Sequence, residues 1–185
     1  MGFSDEGDSI RRILAGETGL YSVFIQRYSP QVFALIVKMV SCPEDAEELT
    51  QDVFVKAFNK LDSFKGKSGF STWLYRIAYN TAISALRKKR RVFPVMDERQ
   101  WLNVPDEAVD AFLEGGVEDS RLDRLDWAVS QLTPEERVLV LLYYAEDRPV
   151  AEVAEVMGIT RGNVKARLFR IRKKLYTLLK IQRDE

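Results

Sequence analysis

Residues 133–179 leave few folds open. Thr133-Pro134-Glu135-Glu136 has the form of a capping box with proline at the first helical position. Val138, Leu139, Leu141, Leu142 and Tyr143 continue that helix. Val150, Val153, Ala154 and Met157 then predict a short helix over 149–157. Gly158 and Ile159 make a turn, and Thr160 can cap a long helix running from Arg161 to near Leu179. A short helix, a glycine-containing turn and a longer basic helix form a helix-turn-helix.

The last helix can be read face by face. Val164, Leu168, Ile171, Leu175, Leu178 and Leu179 fall within about 100° of the helical wheel and are expected to face a core. Gly162, Lys165, Ala166, Phe169, Arg170 and Lys173 lie opposite. Gly162 and Ala166 are small enough for the backbone to approach a surface closely. Phe169 suits a thymine methyl, and Arg170 or Lys165 suits guanine, so the face reads as a major-groove reader. The competing reading is a solvated basic helix with an incidental phenylalanine.

Charge along the chain favours the first reading. The formal net charge is zero, with 28 basic and 28 acidic residues, but they are arranged in blocks. Residues 65–91 carry eight basic residues and no acid, and residues 160–183 carry nine and no acid. Between them, residues 97–126 hold ten acids against Arg99, Arg121 and Arg124. A single run would suggest only a solvated face. Two acid-free runs point to a polyanion partner.

Several function classes are closed off. There is no histidine, so Ser-His-Asp and Cys-His triads and His-ligated zinc are absent. The lone Cys42 supports neither a disulfide framework nor a four-cysteine metal site. No catalytic group, metal or cofactor is expected. No apolar run approaches the roughly 18 residues of a membrane span. Met1-Gly2-Phe3-Ser4-Asp5-Glu6 lacks the basic start and apolar stretch of a leader. A cytoplasmic protein with no membrane insertion of its own is expected.

Helical signals dominate the N-terminal half as well, over 9–15, 18–28 and 30–41, with Pro30 marking a restart. Pro43 suits a first helical position, and Glu44, Asp45 and Glu47 follow it with favourable charge. Ala46, Leu49, Val53 and Ala57 form the inward stripe. The far side carries Glu48, Gln51, Asp52, Val55 and Asn59, so Val55 is either a stray surface valine or the apolar centre of a polar docking face. Residues 62–69 read as a turn-like loop before a helix over 70–90 that is apolar nearly all round. Such a helix is usually buried. Yet Phe64, Phe70, Trp73, Tyr75 and Tyr79 interleave with lysine and arginine, a pattern that also stacks unpaired bases. The stretch 92–120, with Pro94, Pro105, Gly115 and Gly116, reads as a flexible acidic linker. The fold expected is all-α: a domain at 1–91, a linker at 92–120 and a helix-turn-helix domain at 121–185.

Three blocks carry a resemblance to a known family. They are Asp45-Ala46-Glu47-Glu48-Leu49-Thr50-Gln51-Asp52-Val53-Phe54, then Leu61-Asp62-Ser63-Phe64 through Trp73-Leu74-Tyr75-Arg76-Ile77-Ala78-Tyr79-Asn80-Thr81-Ala82, and Leu132-Thr133-Pro134-Glu135-Glu136-Arg137 through Val164-Lys165-Ala166-Arg167. In order and spacing the set resembles bacterial sigma factors of the extracytoplasmic-function (ECF) group. The resemblance implies two helical domains that bind core RNA polymerase, read the −10 and −35 promoter elements and help open the DNA. It places Asp45, Glu48, Gln51, Asp52 and Val55 against the polymerase clamp coiled coil. It places Ser63, Phe64, Lys65, Trp73, Tyr75 and Asn80 around a flipped-out −10 base. Lys165, Ala166, Phe169 and Arg170 would meet −35 bases, with Gly162 beside them and Arg161 on the DNA backbone. It also implies an anti-sigma factor as a partner, and a polymerase channel for the acidic linker. Pro149 stands where the family often has a serine cap, Asn163 where threonine is frequent, and Lys165 where arginine is common. Lysine offers a point charge rather than a bidentate fork.

Two other functions fit parts of the sequence. A free-standing regulator would use the helix-turn-helix alone and leave the Val55 face and aromatic loop without a role. An enzyme would have to rely on carboxylates such as Asp45, Glu48 and Asp52, whose place at a helix start is explained by capping and solvation.

Overall fold

In the computed structural model, residues 3–40, 42–88, 104–105 and 119–184 are described, and every regular element among them is helical. The N-terminal half contains α1 (Phe3–Leu14), α2 (Tyr21–Val40), α3 (Pro43–Asn59) and α4 (Phe70–Lys88). The C-terminal half contains α5 (Asp119–Ser130), α6 (Pro134–Val140), α7 (Val150–Met157) and α8 (Arg161–Asp184). The expected linker at 92–120 falls outside the described residues except at 104–105 and 119–120.

The expected restart at Pro30 does not occur, because α2 runs through it unbroken. A proline inside a helix costs about 3 kcal/mol. Against that, Tyr21, Phe24, Tyr28, Val32, Leu35, Ile36, Met39 and Val40 form one buried stripe spanning both sides of the proline. Each large apolar side chain buried contributes roughly 1.5–3 kcal/mol. Splitting the helix would turn part of that stripe out of register, so burial wins over local preference.

The predicted start of α3 is present. Pro43 sits in its first turn with Glu44 and Asp45, and Ala46, Val53, Phe54 and Ala57 face inward. Helix α4 packs on α2 and α3 on one side and on α7 on the other. That double contact explains its all-round apolar sequence: Phe70, Leu74, Tyr75, Ala78, Tyr79, Ala82 and Leu86 are all buried. A second contact, between α2 and α6, also joins the halves.

The capping box of α6 forms with both of its hydrogen bonds, Glu136 N–H to Thr133 Oγ1 at 3.3 Å and Thr133 N–H to Glu136 Oε2 at 2.8 Å. Helix α6 passes into one π-helical turn, Leu141–Ala145. Gly158 ends α7 in the left-handed region at φ 68°, a conformation that favours glycine. Thr160 Oγ1 then accepts from Asn163 N–H at 3.2 Å, capping α8 as expected.

Candidate nucleic-acid interface

The exposed face of α8 is laid out as its sequence predicts. Val164, Leu168, Ile171 and Leu178 are buried, while Arg161, Gly162, Lys165, Ala166, Phe169 and Arg170 are exposed. Helix α7 and the Gly158 turn hold α8 by its apolar side, so this face stands clear of its own domain. Lys173 differs from expectation. It is buried, and its ammonium lies 4.5 Å from the Phe169 ring centroid. Its aliphatic stem packs inward and its charge supports the aromatic. Pro149 caps α7 without any side-chain hydrogen bond. The contact that serine would make is absent.

The aromatic loop divides between core and surface. Phe70 is buried against Phe24 and Tyr28. Phe64 and Trp73 are half-buried, each 5.5–5.7 Å from its neighbours in the same ring cluster. Ser63, Lys65 and Asn80 are exposed, and each donates to a nearby backbone carbonyl: Lys60 O, Asp62 O and Arg76 O. Tyr75 is placed apart from them, 1% exposed beneath the C-terminal half.

The polar face of α3 is open to solvent. Glu48, Gln51, Asp52 and Val55 are exposed and Asp45 is half-buried, with Val55 at 60%. Lys56 Nζ lies 3.7 Å from Asp52 Oδ2. Beside this face runs an apolar groove of about 570 Å³ between α2 and α3, lined by Tyr21, Ile25, Gln51, Phe54, Val55 and Phe58. Val55 therefore borders a larger apolar surface, which its polar sequence neighbours do not reveal.

The halves also meet at a polar contact that pattern reading did not anticipate. Arg148 precedes α7, and its guanidinium carbon sits 4.3 Å from the Tyr75 ring centroid. Its Nε donates to Glu146 at 2.9 Å, and its Nη1 to Glu152 at 3.0 Å. Nη1 also reaches Ser71 and Thr72 hydroxyls at 3.4 Å. Three donors of the N-terminal half bond to carboxylates of the C-terminal half: Ser68 to Glu155 at 2.6 Å, Thr72 to Glu152 at 2.9 Å and Tyr75 to Glu146 at 3.2 Å. Burial opposes the charge on Arg148, but its hydrogen bond to Glu146 and the neighbouring Tyr75 and Glu146 charges outweigh that and raise its pKa. Burial, with the charge of Glu146 second, pushes the Tyr75 phenol up. The sequence signal was an Arg148 ahead of Glu152 and Glu155. Its partners in the N-terminal half lie more than 70 residues away, beyond any periodicity.

A second cleft of about 570 Å³ lies between the halves. Asn80 and Arg87 of α4 line one side, and Glu135, Arg167 and Arg170 the other.

Comparison with known proteins places these surfaces in a family. The model for sigma-70 region 2 matches residues 24–92, and that for sigma-70 region 4 matches residues 122–175. The chain is 28% identical over 172 residues to the ECF RNA polymerase sigma factor SigW of Bacillus subtilis, covering 90% of this chain and 92% of that protein. It is 29% identical over 170 residues to the ECF RNA polymerase sigma-E factor of Haemophilus influenzae, covering 89% of each. Among solved structures, the sigma factor RpoE of Bartonella quintana, in complex with the anti-sigma factor NepR, is similar at a TM-score of 0.63 and 27% identity. That match covers 87% of this chain and 97% of that one. CnrH, in complex with the cytosolic domain of CnrY, shares the fold at a TM-score of 0.65 and 22% identity, over 94% of this chain and 96% of that one.

Proposed function

The chain belongs to the sigma-70 family as an RNA polymerase sigma factor of the ECF group, and from that premise we propose how its surfaces divide the work of promoter-specific initiation. A sigma factor is an initiation factor and not an enzyme. Asp45, Glu48, Gln51, Asp52 and Val55 dock on the polymerase clamp, with the adjoining apolar groove enlarging the contact. Ser63, Phe64, Lys65, Trp73 and Asn80 hold the opened −10 strand, where base–aromatic stacking contributes roughly 1–3 kcal/mol per base; Tyr75, expected with them, is 1% exposed and stands apart. Arg161, Gly162, Lys165, Ala166, Phe169 and Arg170 read the −35 element in the major groove.

The observation that carries this reading is the sharp division of α8. Its apolar side is buried while Lys165, Ala166, Phe169 and Arg170 stand exposed together. The domain limits proposed are 1–91, 92–120 and 121–185, and the family matches at 24–92 and 122–175 support that division. An anti-sigma factor is a further partner, by likeness to the RpoE complex. Among the described residues no helix is long and apolar enough to cross a membrane, and work on RNA polymerase puts the protein in the cytoplasm.

The test is reconstitution. Mixed with core polymerase, the protein should give discrete transcripts from promoters of its own genome. DNA binding without any effect on core polymerase would favour a free-standing regulator. Absence of both core binding and transcripts would reject the reading.

A further inference from the structure

We propose that Lys174 is a positioning residue for −35 recognition: its ion pair with Glu136 sets the rotation of α8, and so decides which bases Lys165, Phe169 and Arg170 reach. This rests on the assignment of the −35 face above.

Base reading demands an accurate rotation. The outer surface of a helix lies about 5–6 Å from its axis, so a turn of about 20° moves a contacting group by about 2 Å. A base contact tolerates a misplacement of only about 0.5 Å. The apolar side of α8 does not supply that accuracy by itself. Val164, Leu168, Ile171 and Leu178 are buried, but apolar burial is non-directional.

The Lys174 contact is directional. Lys174 follows Arg170 by four residues, about one turn further along α8. It is 5% exposed, and its Nζ donates to Glu136 Oε2 at 2.9 Å. The same oxygen accepts Thr133 N–H at 2.8 Å, which closes the capping box of α6. One carboxylate oxygen therefore ties the first turn of α6 to a fixed point on α8. The neighbouring Lys173 places its ammonium 4.5 Å from the Phe169 ring centroid. That contact orients Phe169 on its helix, whereas the Lys174 contact orients the helix on its domain.

Stability alone does not account for a lysine at this position. Lysine is almost never fully buried unless it is paired. An apolar side chain of similar length would fill the same space without the desolvation cost of a charge. Replacing a buried ion pair by apolar residues is often neutral or stabilising. What such a replacement loses is direction, and direction is what a base-reading helix requires.

The test uses the full-length protein bound to core polymerase and a library of short randomised duplexes. The readout is discrimination, the affinity for the best selected duplex divided by that for the unselected library. Lys174→Met keeps the apolar stem and the α6 cap and removes the ammonium. Discrimination should fall about tenfold, as for the loss of one good base contact. Affinity for the unselected library and its salt dependence should stay unchanged, since Lys174 meets a carboxylate and not a phosphate. Lys180→Met, which removes an exposed charge from the same helix, should keep full discrimination. Unchanged discrimination in Lys174→Met overturns the proposal, as does an equal loss in Lys180→Met or a uniform loss on every duplex. If the unsubstituted protein selects no sequence, the −35 assignment itself fails and takes the proposal with it. If Lys174→Met loses helix content, the Glu136→Gln/Lys174→Met double variant decides by the same ratio. Glutamine keeps the capping box, and no unpaired charge remains.

Discussion

The same substitution, glycine to alanine, is expected to act in opposite directions at two positions four residues apart. Gly158 has φ +68° and a new Cβ there would meet nothing within 4 Å. The cost of Gly158→Ala is therefore purely conformational, about 1–2 kcal/mol for left-handed geometry in an L-residue. Asparagine tolerates that geometry, so Gly158→Asn should cost well under half as much. Gly162 lies inside α8, where a new Cβ would meet only Thr160 Oγ1 at 3.9 Å, an ordinary contact. Gly162→Ala should stabilise the helix, by up to about 0.5–1 kcal/mol. It would also put a methyl group on the exposed face proposed to approach the −35 element, weakening duplex binding. Urea unfolding followed by circular dichroism gives the stabilities, and fluorescence anisotropy with the −35 duplex gives the affinities. The reasoning fails if Gly158→Asn costs as much as Gly158→Ala, which would indicate a steric cause. It also fails if Gly162→Ala leaves −35 affinity unchanged, since the close approach would then be absent.

Three further outcomes follow from named residues. Arg170→Ala should cost roughly 1–3 kcal/mol at one base pair and relax specificity there, and equal weakening on every duplex would reject a base contact. Val55→Glu should leave stability within about 0.5 kcal/mol, because Val55 is 60% exposed, while binding to core polymerase in a pull-down falls sharply; intact core binding would remove Val55 from the docking face. Burial raises the Tyr21 phenol to about 12, and its hydroxyl donates to Phe54 O at 2.8 Å. Because the folded pKa lies above the unfolded value near 10, its contribution is full below pH 10 and is lost as pH rises toward 12. Tyr21→Phe should flatten that part of the alkaline stability loss in urea titrations. A parallel fall in both proteins would assign it to other groups.

Legibility in the sequence followed the range of the interactions involved. The capping box at Thr133, the Gly158 turn, the Thr160 cap and the buried side of α8 all depend on residues within a turn or two of each other. Each stands where its pattern predicts. The exposed faces of α3 and α8 followed from the same periodicity. Local rules failed where distant parts of the chain supplied the larger energy. Pro30 reads as a break, yet a buried stripe on both sides of it carries α2 through. Lys173 reads as solvent-facing, yet its stem is buried and its charge meets Phe169.

The aromatic helix α4 marks the boundary most clearly. Its sequence permitted both a core helix and a base-stacking surface, because both use the same side chains. Tertiary packing divided them: Phe70 and Tyr75 are buried, Phe64 and Trp73 are half-buried, and Asn80 is exposed. By itself the sequence determined the all-helical class, the helix-turn-helix and its outward face, since period and capping are properties of neighbouring residues. Only the tertiary structure decided that Arg148, Glu146, Glu152 and Glu155 meet Ser68, Thr72 and Tyr75. Those hydrogen bonds join residues 71 to 87 positions apart, and no local pattern encodes which distant surface a charged edge will find.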